Sequence, residues 1–380
     1  MNKVVFLTGA TGLVGGNLIP RILKDPSITR LILLVRGNSD IEAEKRVHEM
    51  IKSLSPEIDQ SQIEKHIQVV RGDITLDRLG FLESFYNRLA TEVTHIIHSA
   101  ATVQFQLPLE CARLVNYTGT RNVMTLAQHA QQNGRLKGVA YISTAYISGD
   151  RTGRILETEL DCSQKFANTY ERTKFESEKL VWQLTSELPI TIFRPSIIVG
   201  DSKTGRTSVF NVLYPPLKLI SHKLVRILPG SRYTPLDVVP VDFVADAIHS
   251  IFLKTDEGIG KIYHLTAGGE NSITTGEVID LAMDYFNTIQ KTEHSQRIRF
   301  MPLEQYLEVK QSLQGHARRV WQAMETYEPY LCVNRLFDNA NTRSALERTG
   351  ITAPVFEEYY QTILQYCNQT DWGKRLKRAA

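Results

Sequence analysis

The segment that most constrains the fold is Thr8-Gly-Ala-Thr-Gly-Leu-Val-Gly15, which follows directly on the apolar run Val4-Val-Phe-Leu7. An apolar strand that turns on glycines into a helix is the opening unit of a parallel sheet covered by helices on both faces. Gly9, Gly12 and Gly15 serve three needs: a tight turn, close approach of backbone to a ligand, and tight packing of helix on strand. The helix that begins near Gly12 aims its positive end at the turn, which suits a pyrophosphate. Thr11, Leu13 and Val14 belong to the same turn and complete the expected cofactor-binding set there.

Short runs rich in Val and Ile alternate with longer amphipathic stretches along the first two-thirds of the chain, the pattern of a parallel sheet buried on both faces. Strands are expected at Lys3–Thr8, Arg30–Val35, Ile67–Arg71, His95–Ser99, Gly138–Ser143, Ile190–Arg194 and Ile262–Leu265. Helices are expected near Gly12–Lys24, Ile41–Leu54, Leu107–Asn133 and Asn168–Ser186. This predicts an α/β fold: a Rossmann-type doubly wound sheet of about seven strands in the order 3-2-1-4-5-6-7, with the ligand at the strands' carboxyl ends. Residues 1–200 are expected to form the dinucleotide-binding domain, with 237–268 returning to it. Residues 201–236, rich in proline, and the mainly helical 269–380 would form a smaller substrate-binding lobe.

Arg36 ends the second strand, about twenty residues past Gly15, where a site that prefers NAD carries Asp or Glu for the ribose hydroxyls. A guanidinium there offers a fork of donors to a 2′-phosphate, so NADPH is the expected cofactor. Arg71 either adds positive charge or is solvated. Asp73 and Ile74 follow the third strand; Asp73 either accepts from the adenine amino group or caps its own loop. Ala100 and Ala101, after His98-Ser99, are small enough to let a ribose lie against backbone. His95 and His98 point to opposite faces of a strand and lack a third ligand nearby, so no metal is expected. Asn116 is expected in the next helix, holding a water or a backbone carbonyl behind a catalytic lysine.

That lysine belongs to Tyr170-Glu-Arg-Thr-Lys174, which puts a phenol and an amine one helical turn apart. A phenol, with an ordinary pKa of about 10, becomes a useful acid near neutrality if an ammonium stabilises its anion. Two other Tyr-x-x-x-Lys matches occur, Tyr214–Lys218 and Tyr306–Lys310. Pro215 and Pro216 are expected to break the helix in the first, and the second reads as a solvated helix. Only Tyr170 follows a strand that ends in a hydroxyl. Thr144 is the expected partner at the substrate oxygen, with Ser143 directed away by strand alternation.

Bulk properties narrow the function. With 44 basic and 41 acidic residues the net charge is +3, too small a bias for nucleic acid binding. Four widely spaced cysteines suit a reduced cytoplasmic protein better than a disulfide framework or a zinc site. No stretch approaches the ~20 apolar residues of a membrane span. The basic tail Trp372–Ala380 suggests either a frayed, solvated terminus or peripheral contact with an anionic membrane surface.

The set Thr8–Gly15, Val35-Arg-Gly37, His98-Ser-Ala-Ala101, Ser143-Thr-Ala-Tyr146, Tyr170–Lys174 and Arg194-Pro-Ser-Ile-Ile-Val-Gly200 resembles the extended short-chain dehydrogenases/reductases. More narrowly it resembles the thioester reductase and male-sterility-type fatty acyl-CoA reductase branch. That resemblance implies Thr144, Tyr170 and Lys174 as the catalytic set, with Pro195, Ser196 and Ile197 lining the nicotinamide. It implies an acyl chain on coenzyme A or an acyl carrier protein as substrate, reduced to aldehyde or, through a second round, to alcohol. Other functions fit the same scaffold: a ketone, hydroxysteroid or β-keto lipid dehydrogenase, a nucleotide-sugar epimerase, and a dinucleotide sensor without turnover.

Overall fold

A computed structural model describes residues 2–255, 257–291 and 297–379. Seven parallel strands form the central sheet: β1 (Lys3–Thr8), β2 (Ile28–Val35), β3 (Ile67–Arg71), β4 (His95–His98), β5 (Gly138–Ile142), β6 (Ile190–Pro195) and β7 (Ile262–Leu265). Their spatial order is 3-2-1-4-5-6-7, so the order reverses between β1 and β4. Registers bring Thr8 beside His98, His98 beside Tyr141, and Ile142 beside Phe193. The carboxyl ends of β1, β4, β5 and β6 therefore lie side by side, at the switch point where such sheets bind ligands.

One face of the sheet is covered by α1 (Leu13–Leu23), α2 (Asp40–Leu54) and α6 (Val241–Ile248), numbering the helices in chain order. Their apolar stripes, including Leu18, Ile19, Val47, Ile51, Val244 and Ile248, are buried against Leu7, Leu33 and Ile97. The other face carries α3 (Gly119–Gln132) and α4 (Thr169–Gln183), whose Val123, Met124, Ala127 and Val181 pack on Phe6, Ile96, Val139 and Ile190. Burying each such aliphatic side chain contributes about 1.5–3 kcal/mol, and these two layers hold the strand ends rigid.

A third core joins α5 (Tyr214–Ser221), α7 (Thr275–Gln290), α8 (Glu328–Cys332) and α9 (Phe356–Gln369). It is tied back to the sheet side by short parallel pairs, among them Arg335–Phe337 on Gly153–Ile155. Two sequence expectations fail here. Pro215 and Pro216 do not break α5, because they sit in its first turn, where no intrahelical N–H is lost. Tyr214 is nonetheless a core residue, its hydroxyl accepting from Gly200 N at 2.8 Å. Tyr306 is not on a wholly solvated helix: its ring is buried and stacks on Trp321 at 4.1 Å, while Lys310 bonds Glu328.

The carboxyl-terminal segment also differs from a frayed end. Trp372 packs on Phe286 with ring centroids 6.1 Å apart, and Lys374–Ala379 is helical. Among the described residues no helix is long and apolar enough to cross a membrane.

Candidate active site

The glycine turn is built as its spacing predicts. Gly9 adopts φ +73°, and a Cβ there would lie 2.6 Å from the backbone of Ser99 and Ala100. A Cβ on Gly15 would meet Gly9 O at 2.2 Å, so helix and turn touch without room for a side chain. Gly12 caps α1, and its N–H donates to Gly9 O at 2.9 Å. The first N–H groups of α1 thus open toward the cleft, and the close-packed backbone fits a dinucleotide pyrophosphate.

On the β2 side of the turn lies a cavity of about 590 Å³. Its walls include Gly9, Thr11, Arg36, Asp73, Ile74, Ala100 and Ala101. Arg36 is exposed at its mouth. Sequence reasoning missed Arg46, which also borders this cavity and donates to Arg36 O at 2.7 Å. The signal was present, since a basic residue in the second turn of α2 faces the end of β2, but no motif marks it. Arg71 is turned away, paired with Asp40 at 2.9 Å. Asp73 both borders the cavity and caps its loop, accepting from Thr75 N at 2.8 Å.

On the β5 side is a second cavity, of about 320 Å³. Leu13, Val14, Thr144, Tyr170, Lys174, Pro195, Ser196 and Ile197 all border it. Gly12, Ser99 and Ala101 border both cavities, so the two are one cleft bent over the glycine turn. Asn168 caps α4 by accepting from Glu171 N at 2.9 Å, which starts the helix one residue before Tyr170 and puts Tyr170 and Lys174 on one face. A buried pair anchors α4 to the sheet: Arg194 Nε donates to Glu178 Oε1 at 2.8 Å.

Tyr170 and Thr144 both border this cavity, and the Thr144 hydroxyl is near enough to the phenol to favour its anion. Thr144 is extended, at φ −152° and ψ 147°, just past the end of β5. Ser143 also contributes to the cavity wall, while its hydroxyl is buried. Further walls come from Phe105 and Tyr330, stacked with centroids 5.8 Å apart. Neither carried a sequence signal: one is in a loop and the other about 190 residues further along the chain than Thr144, brought in by α8.

Two expectations about the proton pair are corrected. The phenol of Tyr170 is not acidified in this arrangement; burial pushes it up to about 12, against the lowering contact with Thr144. The Lys174 amine, itself lowered to about 7 by burial, donates instead to Tyr141 Oη and Ile142 O. Asn116 lies in a π-helical turn, Leu114–Thr118, and its carboxamide accepts from Thr102 N and donates to Thr102 O and to Thr173 Oγ1. It thereby braces the loop after Ala101, holding a backbone carbonyl there. A π-turn of this kind is a frequent feature of functional sites.

His98 is buried and bonds Thr8 Oγ1 and Thr120 Oγ1, while His95 packs edge-on to Phe252. Among the described residues no group of three His, Cys, Asp or Glu side chains is placed to hold a metal.

Comparison with known proteins agrees with this geometry. The family model described as male sterility protein matches residues 7–248. A probable fatty acyl-CoA reductase 5 of Arabidopsis thaliana is 26% identical, over 90% of this chain and 89% of its own length. The fatty acyl-CoA reductase wat of Drosophila melanogaster is 25% identical over 75% of this chain, which spans 61% of that longer protein. Among solved structures, the terminal R domain of the myxalamid PKS-NRPS pathway superposes with a TM-score of 0.82 at 27% identity, covering 98% of this chain and 92% of that one. With the glycine turn and the Tyr170–Lys174 helix in place at the ends of its strands, the chain belongs to the male sterility protein family, NAD(P)-dependent reductases of the extended short-chain type.

Proposed function

We propose that this chain is an NADPH-dependent reductase of acyl thioesters, carried by coenzyme A or an acyl carrier protein, giving an aldehyde and then an alcohol. The observation that carries the reading is the meeting of the two cavities at Gly12, Ser99 and Ala101, which joins a dinucleotide-shaped cleft to the Thr144–Tyr170–Lys174 cluster. In this reading residues 1–200 and 237–268 hold the dinucleotide, and 201–236 with 269–380 hold the acyl group. Arg36 and Arg46 favour the 2′-phosphate form. Pro195, Ser196 and Ile197 would flank the nicotinamide.

NADPH supplies a hydride for the acyl carbon when it is bound. Thr144 and Tyr170 hold the carbonyl oxygen through their hydroxyls, and Tyr170 gives it a proton as the carbon becomes tetrahedral. The resulting hemithioacetal releases the thiol and leaves the aldehyde. The same groups serve a second reduction.

The acyl chain has an apolar route. Ile197, Val212 and Tyr330 border both the catalytic cavity and a narrow extension of about 40 Å³ walled by residues such as Leu217, Leu228, Val278, Ile279 and Met324. A cytoplasmic setting suits the four unpaired cysteines.

The test is NADPH oxidation followed by absorbance with acyl-CoAs, aldehydes, β-keto lipids and sterols. Turnover of acyl-CoAs and aldehydes is expected. Turnover of aldehydes alone removes the thioester assignment, turnover of ketones or sterols alone replaces it, and NADPH binding without any turnover makes the chain a sensor.

A further inference from the structure

Lys174 has a partner that the mechanism above leaves unused. Its Nζ donates to Tyr141 Oη at 2.9 Å and to Ile142 O at 2.7 Å, and it stands 4.3 Å from the centroid of the Tyr141 ring. Both acceptors belong to β5, so the sheet sets the position of the amine as much as α4 does. Tyr141 has no solvent exposure, and the nearby Ser177 and Thr120 hydroxyls favour its anion, against burial.

These hydroxyls are fixed in turn. Thr120 Oγ1 donates to Asn116 O at 2.6 Å, and Ser177 Oγ shares its hydrogen between Thr173 O at 2.6 Å and that same Asn116 oxygen at 2.9 Å. Having donated, Thr120 Oγ1 accepts from His98 Nε2 at 3.0 Å, which leaves His98 Nδ1 to accept from Thr8 Oγ1 at 2.8 Å. The Tyr141 hydroxyl thus lies beside a buried network of Thr120, Ser177, His98 and Asn116, with a lone pair committed to the lysine.

The charged and titratable groups around the amine come from four elements: Tyr170 and Glu178 on α4, His98 on β4, Tyr141 on β5, and Arg194 on β6, which pairs with Glu178. Burial holds Tyr141 well above 10 and His98 down at about 3, so both stay neutral near pH 7. Burial lowers Lys174 to about 7. The amine is the member of this set whose charge changes at neutral pH, and a neutral phenol oxygen facing it favours the ammonium form.

We propose that Tyr141 is a positioning residue for the reduction: its hydroxyl holds the Lys174 amine in place one helical turn from Tyr170 and keeps it protonated. Its action on catalysis rests on the reading that Tyr170 and Lys174 deliver the proton; the effect on the amine does not.

The first test needs neither cofactor nor substrate. In protein labelled with ¹³C-lysine, the Lys174 signal, identified by its loss in Lys174→Met, is titrated with and without Tyr141→Phe. Removing a charge-assisted hydrogen bond should lower the Lys174 midpoint by about one pH unit. In pH profiles of aldehyde reduction, the alkaline limb should move down by the same amount while the acid plateau of kcat stays within about threefold. Tyr141→His, which keeps an acceptor nitrogen, should restore most of the shift. An unmoved Lys174 midpoint, or a loss of activity equal at every pH, overturns the proposal. If Tyr141→Phe does not fold, the unmodified protein decides. With ¹³Cζ-tyrosine, the Tyr141 resonance should follow the Lys174 titration, and a flat Tyr141 signal refutes the contact. Absence of turnover by wild-type protein with every substrate, together with a Lys174 midpoint that Tyr141→Phe lowers, defeats the functional reading and leaves the Tyr141 contact standing.

Discussion

Replacing Lys174 by methionine should stabilise the fold while abolishing reduction. The amine is 3% exposed and its proton affinity falls from an ordinary value of 10.5 to about 7. At about 1.4 kcal/mol per unit, keeping it charged in the folded state costs about 5 kcal/mol below pH 7. Between pH 7 and 10.5 the unfolded chain binds this proton more tightly than the folded one does. Stability therefore rises with pH through that window, and the cost falls to about 2 kcal/mol by pH 9. Methionine has similar length and no charge to bury. It leaves Ile142 O and the Tyr141 hydroxyl each short of one donor, a loss of about 1–2 kcal/mol at each group. The expected net gain is about 2 kcal/mol at pH 6, vanishing or reversing by pH 9. For a chain of this size that corresponds to a Tm about 2–3 °C above wild type at pH 6. Thermal unfolding of the cofactor-free protein, followed by calorimetry at both pH values, reads this directly. A variant that melts below wild type at pH 6, or a difference that does not change with pH, would show that the amine carries no desolvation cost and refute the reasoning.

Other perturbations test the rest of the site. Tyr170→Phe should lower kcat by about 10²–10⁴-fold with little change in KM, measured with the best substrate of the panel. Arg36→Ala and Arg46→Ala should each raise the KM for NADPH by about tenfold while leaving NADH kinetics nearly unchanged, since only the 2′-phosphate loses a partner. Gly15→Ala puts a methyl 2.2 Å from Gly9 O, and calorimetric titration should find NADPH binding weakened by at least about tenfold. Val278→Trp, on α7 at the apolar extension, should raise KM for long-chain acyl substrates and leave short ones unaffected; equal effects on both would remove the extension from the acyl route.

How far the sequence could be read depended on how local the physics was. The glycine turn is local: the conformation of Gly9 and the contact of Gly15 with Gly9 O involve residues within one βα unit, so their spacing alone announces them. The pairing of Tyr170 with Lys174 is local in the same sense, being one turn of a capped helix. The seven strands were legible because each is a short Val- and Ile-rich run flanked by helical periodicity.

Where residues from distant segments meet, the sequence was silent or misleading. Pro215 and Pro216 read as breakers until their place in the first turn of α5 was known, because a proline's effect depends on which helical position it occupies. Asn116 was expected to hold a water or a backbone carbonyl behind Lys174, and nothing announced the amine's own partner Tyr141, a residue whose alternation on β5 marks it only as core. Tyr330 reaches the cavity from the far end of the chain, in a packing arrangement that no periodicity encodes.

The sequence by itself determined the sheet, its winding order, the glycine turn and the helix that pairs Tyr170 with Lys174, since each rests on contacts between near neighbours or on burial patterns repeated along one element. Only the tertiary structure decided how that pair is charged and where its amine points. Desolvation and hydrogen-bond geometry arise from β5, α4 and the carboxyl-terminal helices closing on one another, and no single stretch of chain contains them.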